Sequence, residues 1–513
     1  MNIKYCSYFI GRIMKIVAFL FLFPTLIAII YGEYMNIVAF LPIGAGMFLL
    51  GMLISLKAPQ NTHVTAVEGF FIVAFSWLFM SLAVSFSFLI TGEINGGYIN
   101  CLFESVSGFT TTGATVINDI EALSKSTNAL RLFTHWIGGM GILVLAIAIV
   151  PKNIDASTMN IFRAEVPGHQ VEKFTSRLTL TAKILYIIYT GLTIILAIAF
   201  IIAKMPIYDS VVTAMSIAGT GGFSVLNASI GGYNSLPIEI IATVFMFLFG
   251  VNMNIFYLII LGKFVPVLKS EELRVYTIIF IGASLLMSWS LTAQHVYSSF
   301  GESLRYASFT TAAISSTTGM GVADFSTWPM LCQVIIFALM FIGGCSGSTA
   351  GGIKLARIMI GGKYVLRQIH ISARPNRVKT LRIENERLDS KTVQGTMSYL
   401  ALYMIVLLIS MFLLTILETV LGGVRNSFLE NFTATISALS NVGPAFESLA
   451  AGTYDSYSIG SKIILIFDML AGRLEILPML FLFAPLSGLP KAFRTARNRA
   501  QYKKNTKLAG EKK

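Results

Sequence analysis

A short run of threonine, serine and glycine recurs four times in this chain, each time between two long apolar segments. The copies read Ser107-Gly108-Phe109-Thr110-Thr111-Thr112-Gly113, Ser216-Ile217-Ala218-Gly219-Thr220-Gly221-Gly222, Ala313-Ile314-Ser315-Ser316-Thr317-Thr318-Gly319 and Ser437-Ala438-Leu439-Ser440-Asn441-Val442-Gly443. Aligned on the last glycine, they place small or hydroxyl residues over the preceding six positions, apart from Phe109 and a few aliphatics. The glycines lie 109, 97 and 124 residues apart. Each copy ends a short amphipathic segment, so the repeating unit is apolar helix, short helix, loop, apolar helix. Four such units can bring four loops to one axis, where backbone carbonyls replace the hydration shell of a cation. One copy would read as an ordinary Thr/Gly turn; four in register within four similar hairpins predict a pore for monovalent cations.

The apolar segments need lipid. The chain has 513 residues, is 55% hydrophobic and 12% charged, and its mean hydropathy is +0.74. No soluble fold of this size hides that much apolar surface. A spanning helix takes about 20 apolar residues, and ten runs qualify: 9–32, 36–56, 66–91, 129–151, 180–203, 236–264, 274–297, 328–360, 395–421 and 459–485. The segments ahead of the four loops, about 10–15 residues long, are too short to span and fit re-entrant half-helices. The expected fold is therefore an all-α polytopic membrane protein. Its parts are an accessory helix pair at 1–56, pore repeat 1 at 57–151, pore repeat 2 with its preceding cytosolic loop at 152–265, and pore repeat 3 at 266–360. A cytosolic loop at 361–394, pore repeat 4 at 395–490 and a basic tail at 491–513 complete it.

The net charge of +13 invites a nucleic-acid reading, but its distribution excludes one. With the N-terminus in the cytosol, the pieces 1–15, 57–65, 152–183, 263–274, 354–391 and 491–513 hold 31 of the 38 Lys and Arg residues. The outward loops collect Glu93, Asp119, Glu121, Asp209, Asp324, Glu447 and Asp455 instead. This positive-inside bias puts both termini in the cytosol, with the tail mobile or lying on the anionic inner leaflet. Cys6, Cys101, Cys332 and Cys345 are scattered without CxxC or Cys/His spacing, so neither a disulfide framework nor a metal centre is indicated. The first apolar run follows Lys4, Arg12 and Lys15 as a signal peptide would, yet no soluble domain follows it, so a retained helix is expected.

Carbonyls converge on a cation only in a loop whose backbone most residues avoid, and glycine accepts such conformations without Cβ strain. The candidate filter residues are Thr111, Thr112 and Gly113; Thr220, Gly221 and Gly222; Thr317, Thr318 and Gly319; and Asn441, Val442 and Gly443. Hydroxyls there would tie each loop to its own pore helix, whose C-terminal dipole end would face the ion path. A second feature is 343–352, with Gly343, Gly344, Gly347, Gly351 and Gly352 inside an apolar run. At about 1 kcal/mol per interior glycine relative to alanine, a straight helix is disfavoured there. Such a break is tolerated at membrane depth where it lines water or packs in protein, so it reads as close helix packing or as a movable loop under the filter. Arg473 lies in an apolar stretch beside Asp468 and Glu475. It either pairs locally with one of those acids or stands near the pore axis as a barrier to cations. Lys354 reads as a snorkelling residue near the cytosolic end of its helix.

Several segments together resemble the membrane subunits of Trk-type potassium uptake systems (TrkH/TrkG), related to KtrB and the plant HKT transporters. They are Ser107–Thr115 (SGFTTTGAT), Trp136–Gly141 (WIGGMG), Gly221-Gly222-Phe223-Ser224, Gly344–Lys354 (GCSGSTAGGIK), Ser440–Pro444 (SNVGP) and Ala471–Leu477 (AGRLEIL), and the likeness covers essentially the whole chain. The extra N-terminal pair favours the TrkH-like branch. Thr112, Gly221, Thr318 and Val442 share one position, so only approximate fourfold symmetry is expected. The resemblance implies potassium as the transported ion, since Gly113, Gly222, Gly319 and Gly443 are all glycine where some sodium-passing relatives carry serine in the first loop. It implies that 343–352 is a gate, and that Arg473 lies below the filter and helps hold the closed state. It also implies a homodimer in a bacterial inner membrane, docked on a cytosolic TrkA-like regulatory subunit with nucleotide-binding RCK domains.

Two other function classes fit less well. An ion-coupled symporter with inverted repeats conflicts with four units of one orientation, although the sequence leaves open whether transport is channel-like or coupled to protons or sodium. A membrane enzyme would cluster catalytic groups, whereas the five histidines are scattered at 63, 135, 169, 295 and 370. With no P-loop or dinucleotide fingerprint, the chain is expected to bind no cofactor of its own, and nucleotide control would come from a partner.

Overall fold

The computed structural model describes residues 3–57, 59, 66–141, 178–373, 380–384, 386–421, 426–450, 452–476 and 478–479. Residues 152–177 of the basic stretch at 152–183, the tail at 491–513 and the segment from Arg374 to Arg377 lie outside them. The described chain is α-helical apart from its loops, short 3-10 turns and one hairpin pairing Arg382–Ile383 with Glu386–Arg387. The first helix breaks between Ile3–Leu20 and Leu22–Ile30, because Pro24 has no N–H for the carbonyl one turn back. Tyr34–Ile54 returns against it and completes the accessory pair.

Four units follow. Their outer helices are Ala66–Thr91, Leu178–Ile202, Glu271–Ala293 and Ser390–Leu421. Their pore helices are Tyr98–Phe109, Ile207–Gly219, Phe300–Ser315 and Phe428–Ser440, of 12, 13, 16 and 13 residues. At about 1.5 Å per residue these reach only partway across a hydrocarbon core of about 30 Å. Local signals start them: Ser299 and Ser427 accept from the N–H groups of Glu302 and Glu430, capping the third and fourth pore helices. The inner helices are Lys125–Gly139, Leu236–Phe249, Met330–Ile342 and Ile459–Arg473. Each pore helix packs against its own outer and inner helices and against the inner helix of the preceding unit; the fourth inner helix closes the circle on the first pore helix. The four loops therefore meet at the centre.

The inner helices differ from the spans expected. Among the described residues six helices are long and apolar enough to cross a membrane, seven if one bent pair counts as a span; the runs expected at 129–151 and 459–485 extend outside those residues. The run 236–264 is two helices, Leu236–Phe249 and Met253–Ile260, meeting at 95°. The run 328–360 ends its first helix at Ile342, passes through irregular backbone, and resumes helix at Leu355–Ala373. The fourth inner helix stops at Arg473, and the first at Gly139 with Gly141 left-handed at φ +80°. Hydropathy alone misses these breaks because the interrupting stretches are short and rich in glycine; the break at 343–352 is signalled by its glycines and not by hydropathy. Lys354 likewise is no snorkelling residue: it is buried at φ +75° ahead of its helix, with its ammonium folded back onto the Ala350 carbonyl.

On the side bearing Asp119, Asp324 and Asp455, called outer here, charged pairs brace the units. Arg131 of the first inner helix is paired with Glu104 of the first pore helix, both fully buried. Arg131 also lies 3.6 Å over the Phe223 ring, and Glu104 accepts from Thr115 Oγ1 (3.0 Å) and the Val116 N–H (3.1 Å). Arg305 of the third pore helix grips Glu239 of the second inner helix through two bonds of 2.5 Å. Removing one member of a buried pair strands the other charge, at about 3–5 kcal/mol. Arg131→Met should therefore lower the thermal unfolding temperature in detergent markedly, and the double variant with Glu104→Gln should recover part of that loss. A double variant no more stable than Arg131→Met alone would show that the pair is not the brace.

Candidate functional site

The four pore helices end in the same way. The amide of the residue before each filter glycine bonds five residues back: Thr112 N to Ser107 O (3.0 Å), Gly221 N to Ser216 O (3.0 Å), Thr318 N to Ala313 O (2.8 Å) and Val442 N to Ser437 O (2.9 Å). This termination needs a left-handed residue, and Thr111, Thr220, Thr317 and Asn441 supply it with φ of 54–56°. A left-handed β-branched residue is an outlier costing about 1–3 kcal/mol, so three threonines in that conformation are held there by their surroundings. Two positions on, Gly113, Gly222, Gly319 and Gly443 have φ of +79°, +85°, +69° and +101°.

The loops then close a ring. A Cβ on Gly113 would overlap the Gly221 carbonyl oxygen, one on Gly222 the Thr318 oxygen, one on Gly319 the Val442 oxygen, and one on Gly443 the Thr112 oxygen. Each glycine thus presses on the carbonyl of the residue preceding the glycine of the next loop, and the fourth returns to the first. The twelve residues singled out in the sequence lie in these four loops, and the left-handed φ together with the close approach makes glycine obligatory at the four ring positions.

Side chains support the ring, and each differs. Thr110 Oγ1 shares a bond of 2.8 Å with Thr112 Oγ1, and Ser316 Oγ one of 2.7 Å with Thr318 Oγ1. Thr110 and Ser316 in turn bond carbonyls of their own pore helices at 2.7 Å. Asn441 does something else: its amide donates to Thr112 Oγ1 and to the Met469 carbonyl, both at 2.9 Å, joining the fourth loop to the first and to its inner helix. His135, absent from the sequence-derived candidates, stands between units one and two. Its Nδ1 lies 2.7 Å from the Gly108 carbonyl and its Nε2 accepts from the Phe223 N–H at 3.2 Å. One nitrogen faces an acceptor and the other a donor, so the network assigns a neutral ring protonated at Nδ1. The ring fills the space where a Cβ on Gly221 would go, which accounts for glycine where the other loops carry Thr112, Thr318 and Val442.

Cavities lie on both sides of the ring. On the outer side a cavity of about 340 Å³ is lined by the four glycines together with Asn118 and Asp324. At its rim the Asn227 amide donates to Asp119 at 2.9 Å and holds that carboxylate below the usual range. On the opposite side a cavity of about 80 Å³ is lined by Met140, Gly351, Lys354, Arg473 and Glu475, among others.

The irregular segment 343–354 separates that small cavity from the ring. It is held to the bend of the second inner helix: Cys345 N donates to Gly250 O (2.9 Å), Met253 N to Gly347 O (3.0 Å) and Thr349 Oγ1 to Phe249 O (3.2 Å). Gly351 N donates to Thr317 Oγ1 at 2.6 Å, so the segment touches the third loop directly. Gly343, Gly347 and Gly352 are left-handed, with φ of 66–77°, and Gly344 packs against Ala350. Arg473 joins two elements. Its guanidinium donates to Thr349 O at 2.8 Å and to Gly138 O and Gly139 O at 2.6 and 2.7 Å, tying the irregular segment to the end of the first inner helix. The neighbouring acids are engaged elsewhere: Asp468 accepts from Ser410 (2.6 Å), and Glu475 pairs with Arg357 (2.6 Å). Of the residues the sequence did not single out, Glu104, Arg131, Glu239 and Arg305 carried a readable signal, being charges inside apolar segments; His135 carried none.

Comparison with known proteins agrees with this architecture. Residues 40–493 match the TrkH family, described as cation transport proteins. The chain is 32% identical over 488 residues to the Trk system potassium uptake protein TrkH of Vibrio parahaemolyticus, covering 93% of this chain and 97% of that protein. It is 28% identical to the Trk system potassium uptake protein TrkG of Escherichia coli K12, covering 94% and 98%. The crystal structure of the potassium transporter TrkH from Vibrio parahaemolyticus superposes with a TM-score of 0.83 at 30% identity, covering 95% of this chain and 99% of that one. A polytopic helical membrane architecture and a family match over most of its length lead to one conclusion: the chain belongs to the TrkH family of cation transport proteins.

Proposed function

We propose that this protein takes up potassium across the cell membrane through the axis on which the four loops meet. The observation that carries this reading is the closed glycine–carbonyl ring, with a wide cavity on one side and a narrow, obstructed one on the other. Relatives over nearly the whole length bear the name potassium uptake protein, and glycine at all four ring positions agrees with potassium. In this reading Thr111–Gly113, Thr220–Gly222, Thr317–Gly319 and Asn441–Gly443 form the filter, and potassium is cargo that sheds its water against their oxygens. The segment around Gly343, Gly344, Gly347, Gly351 and Gly352 is the gate, and Arg473 is its clasp. A gate is needed because a potassium-selective pore left open would dissipate the gradient.

Both termini lie in the cytosol on this view. The inner face, with Lys363, Arg367, Arg382, Arg387 and Lys391, is where a nucleotide-binding regulatory subunit docks beneath a homodimer. Such contact between charged surfaces would steer assembly and weaken with salt.

The filter is tested by rubidium uptake into proteoliposomes with sodium as competitor. Gly113→Ser adds a side chain where the Gly221 carbonyl sits, and the potassium-to-sodium permeability ratio should fall by about tenfold or more, a loss of about 1.4 kcal/mol in discrimination. Ratios unchanged in substitutions at all four glycines would remove the filter assignment.

The gate makes a separate prediction. Arg473→Ala deletes three charge-assisted hydrogen bonds of about 1.5–3 kcal/mol each, so flux should rise about tenfold or more with the ion ratio preserved. Shortening 343–352 should act in the same direction. Wild-type open probability in both variants, read in single-channel recordings, would place the gate elsewhere.

A further inference from the structure

The proposed gate is fastened on its inner side as well, through a hairpin far away in sequence. Arg382–Ile383 and Glu386–Arg387 pair antiparallel, and Glu384 at the tip is left-handed at φ +53°. A non-glycine residue in that conformation is strained and points to a constraint imposed by its neighbours. The constraint is visible. One carboxylate oxygen of Glu384 accepts from Ser270 Oγ (2.9 Å), Glu271 N (3.0 Å) and Glu272 N (3.3 Å), the free donors at the start of the third outer helix. Those amides have no partner within their own helix, and a carboxylate on them is favoured by the helix dipole.

The same turn of helix holds the gate. Glu272, buried, accepts from the Ser346 N–H at 2.6 Å, inside the irregular segment. A second strut runs in parallel. Lys363, on the helix that emerges from the segment, donates to Glu271 Oε1 at 2.5 Å and to the Arg382 carbonyl of the hairpin at 2.9 Å. The hairpin does not hang free: Leu381, with Ile383 and Leu388 beside it, packs against Ile360 and Val393 in a small apolar cluster. A displacement of the hairpin therefore reaches Ser346 through two consecutive sets of hydrogen bonds, and the helix below the gate through one.

We propose that Glu384 is a positioning residue for the gate: its carboxylate latches the hairpin to the third outer helix and, through Glu272, holds Ser346 and the irregular segment closed. The inference rests on reading 343–354 as the gate. It adds an intramolecular control point on the inner face, where a ligand or docked protein that lifts the hairpin releases the segment without touching the pore.

The test uses the full chain in proteoliposomes, with rubidium flux, the potassium-to-sodium ratio and thermal stability measured on each variant. Glu384→Ala should raise flux about fivefold or more, the low end of coupling between linked sites, with the ion ratio unchanged. Glu384→Gln, which keeps an acceptor oxygen, should lie between Ala and wild type. Glu272→Ala, which removes the acceptor for Ser346 N–H, should raise flux too, and the double variant Glu384→Ala/Glu272→Ala should equal the larger single effect, because both break one chain of contacts. Arg473→Ala, measured alongside, separates the two readings. If it raises flux while Glu384→Ala does not, the gate stands and the latch is overturned; if neither does, the gate reading falls and takes the latch with it. Multiplicative effects in the double variant, or a flux increase accompanied by lost ion discrimination, would also overturn the latch, since they would mark independent or general loosening.

Discussion

Everything central in this molecule depends on four backbone carbonyls, each pressed against the α-carbon of a glycine in the neighbouring loop. None of the loops is stable in its own right: a pore helix ends in a left-handed threonine or asparagine and continues into a left-handed glycine. Those conformations persist because the ring is closed, so that each loop is a wall for the next. Closure in turn requires that every pore helix be held between two inner helices, which is how the units pack. The fourfold arrangement is therefore a mutual constraint, and it explains how four dissimilar loops keep one backbone geometry. The side chains around the ring are free to differ as long as each fills its own place, His135 beside Gly221 and Asn441 across to Thr112 being the clearest cases.

The inner helices carry the opposite design. Each stops or bends about halfway, leaving unpaired carbonyls at membrane depth that must find partners. The breaks satisfy one another: the Gly343–Lys354 segment bonds the bend at Phe249–Met253, and Arg473 gathers the last carbonyls of the first inner helix together with Thr349. An arginine is well suited to that task, since a planar group with five donors can serve several carbonyls at once and remain charged. The cost of burying it in the membrane is offset by three short bonds, one of which, to Thr349, forms only while the irregular segment is in place. Its position is consistent with a closed state.

Much of this was legible in the chain because repetition is a strong signal. The four loops, the short helices before them and the glycine cluster at 343–352 stood out because the same spacing of small residues appears in a hydrophobic background. What sequence could not supply was everything set by long-range contact. Arg473 stood beside two acids, which left a local pair and a place near the pore axis both open; among its partners are carbonyls 124 and more than 330 residues away. The straight span expected over 236–264 failed because a hydropathy window weighs side chains and is blind to backbone direction, whereas the glycines at 343–352 already argued against a straight helix over 328–360. Lys354 misled for a related reason: in sequence it adjoins a charged segment, but the broken backbone turns it inward.

The two halves of the structure differ in kind, and the difference says where motion can occur. The outer half is fastened by charged pairs, Glu104 with Arg131 within the first unit and Glu239 with Arg305 between the second and third, and by Lys462, which donates to Asn100 and to the Asp455 carbonyl at 2.9 Å. The accessory pair adds to this: Glu33 accepts from the amides of Lys125 and Ser126 at 2.8 Å, and Asn36 donates to Glu93 and Ser124, so the outer end of the first inner helix is capped from a separate element. Such contacts join rigid helices end to end. The inner half also has charged pairs, Arg357 with Glu475 and Lys363 with Glu271, but its irregular segment is held by hydrogen bonds to glycine-rich backbone, whose dihedrals turn at little cost. A force applied from the inner face will therefore bend the segment between Gly343 and Lys354 long before it disturbs the ring, and the direct bond from Gly351 to Thr317 is the one place where that bending must be felt by a loop.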